Sequence, residues 1–320
     1  MRINDRITRV FARPKIAGLL LLLVIAIAIR GYWTEPASKA LLRQAESKNW
    51  TEAESRFSQI APSDWNADDL LQLANLSLQA AQWKFAERVM AAMPDNANQL
   101  ETRLRLQCHL YRSTGDQHEL LNVARRLCLL NPKNPRDWWQ LARIHESHEN
   151  KLAAIMTYEL ALQQPIPPAD KNQMRHRSLS HCIDIGDARR ARLDFQALSL
   201  EGERGPIMDV NDARILNLEG YPDQALLSLQ AALSELGEVP DGLRLRGILY
   251  LEIDRIEEAI HDFKRVVESV PQDELAYFKL AEAYRRLGQR SGEESMMQLA
   301  REYHEQYQHL HTKQLNQLHR

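Results

Sequence analysis

The sequence predicts an all-α protein: a right-handed α-solenoid of about eight helical hairpins, preceded by one transmembrane helix. Three observations carry that expectation. Apolar residues recur at spacings of three and four, which places them on one face of a helix. These amphipathic stretches come in pairs that repeat at a nearly constant interval. One short run near the N-terminus is wholly apolar.

The clearest pair spans residues 240–271. Leu243 and Tyr250 flank the small Gly247 on the first stretch, and Ala259, Phe263 and Val266 follow on the second, beyond a turn at Asp254. Two such helices form a hairpin that cannot bury its apolar stripe alone and must stack on neighbours. Gly247 and Ala259 let the axes approach, Phe263 fills the space beyond, and Pro271 ends the unit. The place held by Ala259 recurs at Ala53, Ala86, Leu120, Ala154, Ala191, Ala225 and Glu293, at intervals of 33, 34, 34, 37, 34, 34 and 34. On these residues the chain resembles the tetratricopeptide-repeat family over roughly residues 34–303. The resemblance implies a fold of stacked hairpins and says almost nothing of biochemistry.

In chain order, residues 1–15 are basic, with Arg2, Arg6, Arg9, Arg13 and Lys15 against Asp5. Ile16 to Ile29 has no polar side chain, and Arg30, Tyr32 and Trp33 follow. Residues 16–33 are therefore expected to anchor the chain in a lipid bilayer, N-terminus in the cytoplasm and repeats on the extracytoplasmic side. Ala26-Ile27-Ala28 has a small-x-small form, so a cleaved signal, leaving a soluble exported adaptor, is the alternative. Repeat one has Leu41, Ala53, Phe57 and Ile60; repeat two Leu70, Leu73, Ala74, Ala86 and Met90; repeat three Leu104, Cys108, Leu120, Ala124 and Leu127. Repeat four has Trp138, Leu141, Ala142, Ala154 and Tyr158. Pro165, Pro167 and Pro168 make the junction near 165–171 irregular and account for the 37-residue interval. Repeats five and six are carried by Leu179, Cys182, Ala191, Phe195, Ala213, Ala225 and Leu229. Repeat eight has Tyr277, Leu280, Tyr284 and Gly288, with Glu293 at the place of the small packing residue. Residues 304–320 form a polar tail that continues the last helix. Glycine and proline fall almost wholly where helices should end.

Lys and Arg number 41 against 43 Asp and Glu, so the chain carries a net −2 and no overall nucleic-acid signature. No phosphate loop, nucleophile elbow or spaced carboxylate pair is present, and no enzyme activity or cofactor is expected. His145-Glu146-Ser147-His148 is one residue short of a zinc-protease helix, and no metal site is expected there. Of three cysteines, Cys108 and Cys182 occupy packing positions, and all three read as buried, small apolar residues; in an oxidising compartment a Cys108–Cys128 bridge within one hairpin is the one pairing to consider.

The resemblance also implies a concave groove lined by the first helices, with the fifth and ninth positions of each repeat pointing into it. In repeats three to seven these are Arg105, His109, Trp139, Arg143, His176, Ser180, Val210, Arg214, Arg244 and Ile248. None is acidic. Arg112 and Arg177 adjoin them, while Glu146, Asp184 and Asp241 dilute the charge. Arginine suits carboxylates and tryptophan anchors interfaces. The expected site is thus Arg105, His109, Arg112, Trp139, Arg143, His176, Arg177, Arg214 and Arg244, binding a protein or extended acidic peptide with no small-molecule substrate. RNA binding by the same arginines is a less favoured alternative. Arg126 and Arg192, on second helices, are expected on the opposite, convex side. The family's carboxylate clamp is not matched, because Leu71 and Leu106 stand where it needs Lys and Asn.

Overall fold

The computed structural model describes residues 37–61, 65–93 and 97–318. The expected basic segment and bilayer anchor of residues 1–33 lie outside them. Among the described residues there are sixteen helices and no strand, and no helix is long and apolar enough to cross a membrane. Two compact units divide at Asn131 and Pro132.

The first unit holds α1 (Ala37–Glu46), α2 (Trp50–Phe57), α3 (Ala67–Gln79), α4 (Trp83–Ala91), α5 (Ala97–Thr114) and α6 (Gln117–Leu130). Its core joins Leu41 and Ala45 of α1, Leu70, Leu73 and Ala74 of α3, and Phe85, Ala86 and Val89 of α4. Phe57 meets Phe85 edge-on at 5.4 Å.

The second unit holds α7 (Pro135–Ser147), α8 (Lys151–Leu162), α9 (Pro168–Asp184), α10 (Ala188–Leu200), α11 (Pro206–Leu218), α12 (Pro222–Leu236), α13 (Pro240–Glu252), α14 (Ile256–Ser269), α15 (Glu274–Ser291) and α16 (Glu294–Leu318). Ile155, Leu179, Cys182, Ala191, Met208 and Ile215 form one core; Ala225, Leu229, Leu249, Ala259, Phe263, Leu280 and Ala283 belong to another. Eight hairpins are thus present, and the markers Ala53, Ala86, Leu120, Ala154, Ala191, Ala225 and Ala259 are all buried. The resemblance to tetratricopeptide repeats holds at the level of these hairpins.

Local chemistry explains the boundaries. Side chains of Asn66, Asp116, Asn134, Asn150, Asp187 and Asp273 each accept a backbone N–H from the first turn of the following helix. Prolines were expected at helix ends; Pro135, Pro168, Pro206, Pro222 and Pro240 instead begin helices, where their missing N–H costs no hydrogen bond. Within the first seven hairpins the turn passes through one left-handed residue: Lys48, Ala81, Gly115, Glu149, Gly186, Gly220 and Asp254. These sites fall 33, 34, 34, 37, 34 and 34 residues apart, the same intervals as the buried markers.

The eighth hairpin departs from this spacing. The interval places its turn at Gly288, but α15 continues to Ser291, and the left-handed residue is Gly292. Gly288 is buried inside the helix against Met297. Glu293 is consequently exposed ahead of α16 and packs nothing, contrary to its expected role as a substitute for the small packing residue. The small residue at this crossing is Gly288, on the other helix. Residues 304–318 continue α16 without a break.

Candidate functional site: the first-helix face of the second unit

Polar contacts tie first helices of this unit at three steps, α7 to α9, α11 to α13 and α13 to α15. His181 on α9 bonds Glu146 on α7 at 2.8 Å, Asn217 on α11 donates to Glu252 on α13, and Arg286 on α15 donates to the Leu251 carbonyl on α13. The expected groove residues of this unit lie on these helices, and their states differ.

Arg244 is not available as a free cation. Its guanidinium is held by Asp273, the cap of α15, and by Asp241 one turn away. His176 lies 3.9 Å from Glu203. By contrast, Arg143, Arg177 and Arg214 make no ion pair among the described residues, and Arg143 and Arg177 are exposed. Trp139 is half-buried, its ring edge-on to Tyr158 at 5.5 Å.

Between these arginines lies a buried network that the sequence reading missed. Glu146 Oε1 accepts from the Tyr158 hydroxyl and from His181 Nε2, both at 2.8 Å, and the His181 ring stacks on Tyr158. Glu146 and His181 keep only 19% and 13% of their side-chain surface exposed. Burial alone would raise the Glu146 pKa; the hydrogen bonds from His181 and Tyr158 outweigh it and hold the carboxyl below its ordinary value. Burial and the adjoining Glu146 carboxylate push the Tyr158 hydroxyl well up, while the nearby Arg177 and Arg143 pull the other way. Glu146, expected to dilute the basic stripe, is turned inward and spends its charge on internal donors. The one sequence signal was its i, i+3 spacing from Arg143, which a lone helix cannot interpret.

In the first unit, Arg105 is bound to Glu101 on its own α5, while His109 and Arg112 are exposed on the same helix. Arg192, expected to be a convex bystander, instead ties α10 to α11 through Asp212 at 2.6 Å and Glu219 at 2.7 Å. Cys108, Cys128 and Cys182 are all buried, as expected of small packing residues, and no disulfide joins Cys108 to Cys128. No group of three metal-ligating side chains occurs among the described residues; His145 is buried in the packing of α7.

No protein-family model matches the sequence, and no curated protein is similar to it. Several solved structures are. A subunit in the APC/C hetero-tetramer Cut9-Hcn1 is 12% identical with a TM-score of 0.48; the match covers 81% of this chain and 49% of that one, about half its length. A tetratricopeptide-repeat protein from Parabacteroides merdae is 16% identical with a TM-score of 0.39, over 78% of this chain and 99% of that one. YrrB, a tetratricopeptide-repeat protein with an unusual peptide-binding site, is 15% identical with a TM-score of 0.39, over 61% of this chain and 96% of that one. The fold of the present chain rests on its own eight hairpins and their recurrent left-handed turn.

Proposed function

We propose that this chain is a non-enzymatic scaffold that captures an extended, acidic segment of a protein partner along the first-helix face of its second unit. The observation that carries this reading is that Arg143, Arg177 and Arg214, on consecutive first helices, have no ion-pair partner among the described residues. An exposed cation that the fold does not neutralise attracts carboxylates at range, and several in a row favour a chain over a point ligand. Trp139, with one edge fixed by Tyr158, supplies a rigid apolar surface at modest entropic cost. Within the first unit, His109 and Arg112 on α5 are exposed and offer similar chemistry of their own. Residues 16–33, with the apolar run Ile16 to Ile29 at their centre, tether the scaffold to a bilayer and hold the repeats on the extracytoplasmic side.

The test is binding of a fluorescent, extended Glu-rich peptide to the full chain in detergent. Arg143→Glu with Arg214→Glu is expected to weaken binding by about 2 kcal/mol or more, mostly through slower association, and added salt to weaken the wild type. Arg125→Glu with Arg126→Glu on α6 is the control and is expected to leave affinity unchanged. Equal losses from both double reversals would refute the reading, as would tighter, steeply salt-dependent binding of RNA.

A further inference from the structure

The last hairpin carries a second, separate feature. Between α15 and α16 lies a groove of about 360 Å³ lined by Phe278, Ala281, Arg285, Met297, Ala300 and His304. Its floor is apolar, and Phe278 is 40% exposed, a large ring left half in water. Phe278 meets Tyr307 at 5.4 Å, and Tyr307 stacks on His311, so the apolar wall continues along α16.

One hairpin earlier, the corresponding place is filled by a helix of the chain itself. There α15 lays Ala276, Leu280 and Ala283 against Leu243, Val266, Ala259 and Phe263 of α13 and α14. The incoming helix also brings acid to base: Asp273 at its start meets Arg244. The same sense recurs where α11 brings Asp212 and Glu219 to Arg192, and where α9 brings Asp184 to Lys151 at 2.8 Å. Glu146–His181, Glu159–Arg190 and the well-exposed Asp254–Arg290 run the other way.

At the terminal groove, Arg285 is exposed and makes no ion pair among the described residues. Arg301 holds only the exposed Glu294, and the one carboxylate on the rim, Glu282, is already held by Lys279 and Arg286. A second copy docking groove to groove would bring Arg285 and Arg301 against themselves, which like-charge repulsion opposes. A concave, two-helix floor with an aromatic wall suits a helix.

We propose that the α15–α16 groove docks an amphipathic helix of a partner protein, with apolar residues at i, i+4 and i+7 on the floor and acidic residues against Arg285 and His304. From Phe278 to Arg285 the floor runs about 10 Å, two turns of such a helix.

The probe is a synthetic peptide of about 18 residues, cross-linked on its outer face so that it is helical when free. It has Leu at the contact positions and Glu on the flanks, and a twin has Lys in place of Glu. Both are titrated against the full chain in detergent. The Glu peptide is expected to bind, the Lys peptide to bind at least about tenfold more weakly. Arg285→Glu is expected to reverse that preference, and Phe278→Ser to abolish binding of either; both residues are exposed, so neither change threatens folding. Arg143→Glu is expected to have no effect, which separates this groove from the face on α7 and α9. Equal binding of the two peptides, or of neither, would overturn the proposal. So would dimerisation abolished by Phe278→Ser, or binding of anionic vesicles in preference to the Glu peptide.

Discussion

Replacing Gly247 by alanine sets two opposed effects against each other at one atom. In a helix interior the change gains about 0.8–1.0 kcal/mol, because alanine orders at lower entropic cost than glycine. Here the added Cβ falls 2.8 Å from two atoms of the Phe263 ring. That ring is fully buried, flat and unable to swing aside, so overpacking costs about 1–3 kcal/mol. Gly247→Ala is therefore expected to destabilise α13 and α14 by up to about 2 kcal/mol net. Gly288→Ala is the internal control. Its Cβ meets the flexible end of Met297 at 3.0 Å, which yields where phenylalanine cannot, and the Met296 Cβ at 3.1 Å, whose small displacement offsets part of the propensity gain. That variant is expected to lie between no change and a gain of about 1 kcal/mol. Hydrogen exchange read region by region distinguishes the two, because hairpins couple mainly to their neighbours and local opening need not be global. Phe263→Leu in the Gly247→Ala background is expected to recover part of the loss, measured as a coupling in the double-mutant cycle. Enhanced protection of α13 and α14 in Gly247→Ala alone would refute the packing argument, since propensity would then have won.

Asp194 supplies a pH test: burial pushes its carboxyl up to about 6, against the opposing pull of Ser178 and Arg175. Its folded value lies above the ordinary one of 3.8, so its penalty is absent below that value and complete above about 6. Asp194→Asn should thus gain on the wild type as pH rises through that window, and a difference independent of pH, measured by urea midpoints, would rule this out. Asp262, 1% exposed, is held at 2.7 Å by both Arg246 Nε and Nη2. Asp262→Ala is expected to cost about 3–5 kcal/mol by stranding Arg246, whereas Asp262→Leu with Arg246→Met should cost far less; equal losses in thermal melts would contradict this. Ala81 takes a left-handed φ of 56° at the turn between α3 and α4, so Ala81→Gly is expected to raise the melting temperature, by about 0.5–1 kcal/mol of stability.

The hairpins were legible because they follow from spacing alone. Buried Ala259 and Phe263 repeat every helical turn, and their neighbours must cover them wherever the chain goes. The turn in the eighth hairpin was not legible. Gly288 sits where six earlier intervals place a turn, yet a glycine reads the same whether it ends a helix or admits a neighbour. Only the position of Met297 shows which. The Glu146–Tyr158–His181 network was hidden for a related reason. Its members lie 12 and 35 residues apart on three helices, and no local period connects them.

The largest gap between sequence and site concerns which cations are spent. The fifth position of a repeat lies about one turn, some 6 Å, nearer the helix start than the ninth. At that level the loop leading into the next hairpin passes by, and it carries acids: Glu203 before α11 stands near His176, and Asp273 before α15 holds Arg244. Arg105, also at a fifth position, turns back to Glu101. Every ionisable fifth-position residue from repeat three to repeat seven thus has a carboxylate beside it. The ninth-position arginines, Arg143 and Arg214, lie one turn beyond that loop and have none among the described residues. A row of like residues at equivalent repeat positions therefore splits into cations that hold hairpins together and cations left to hold something else. That split is why the decisive charge reversal falls on Arg143 and Arg214, and why reversing Arg244 would report on folding instead.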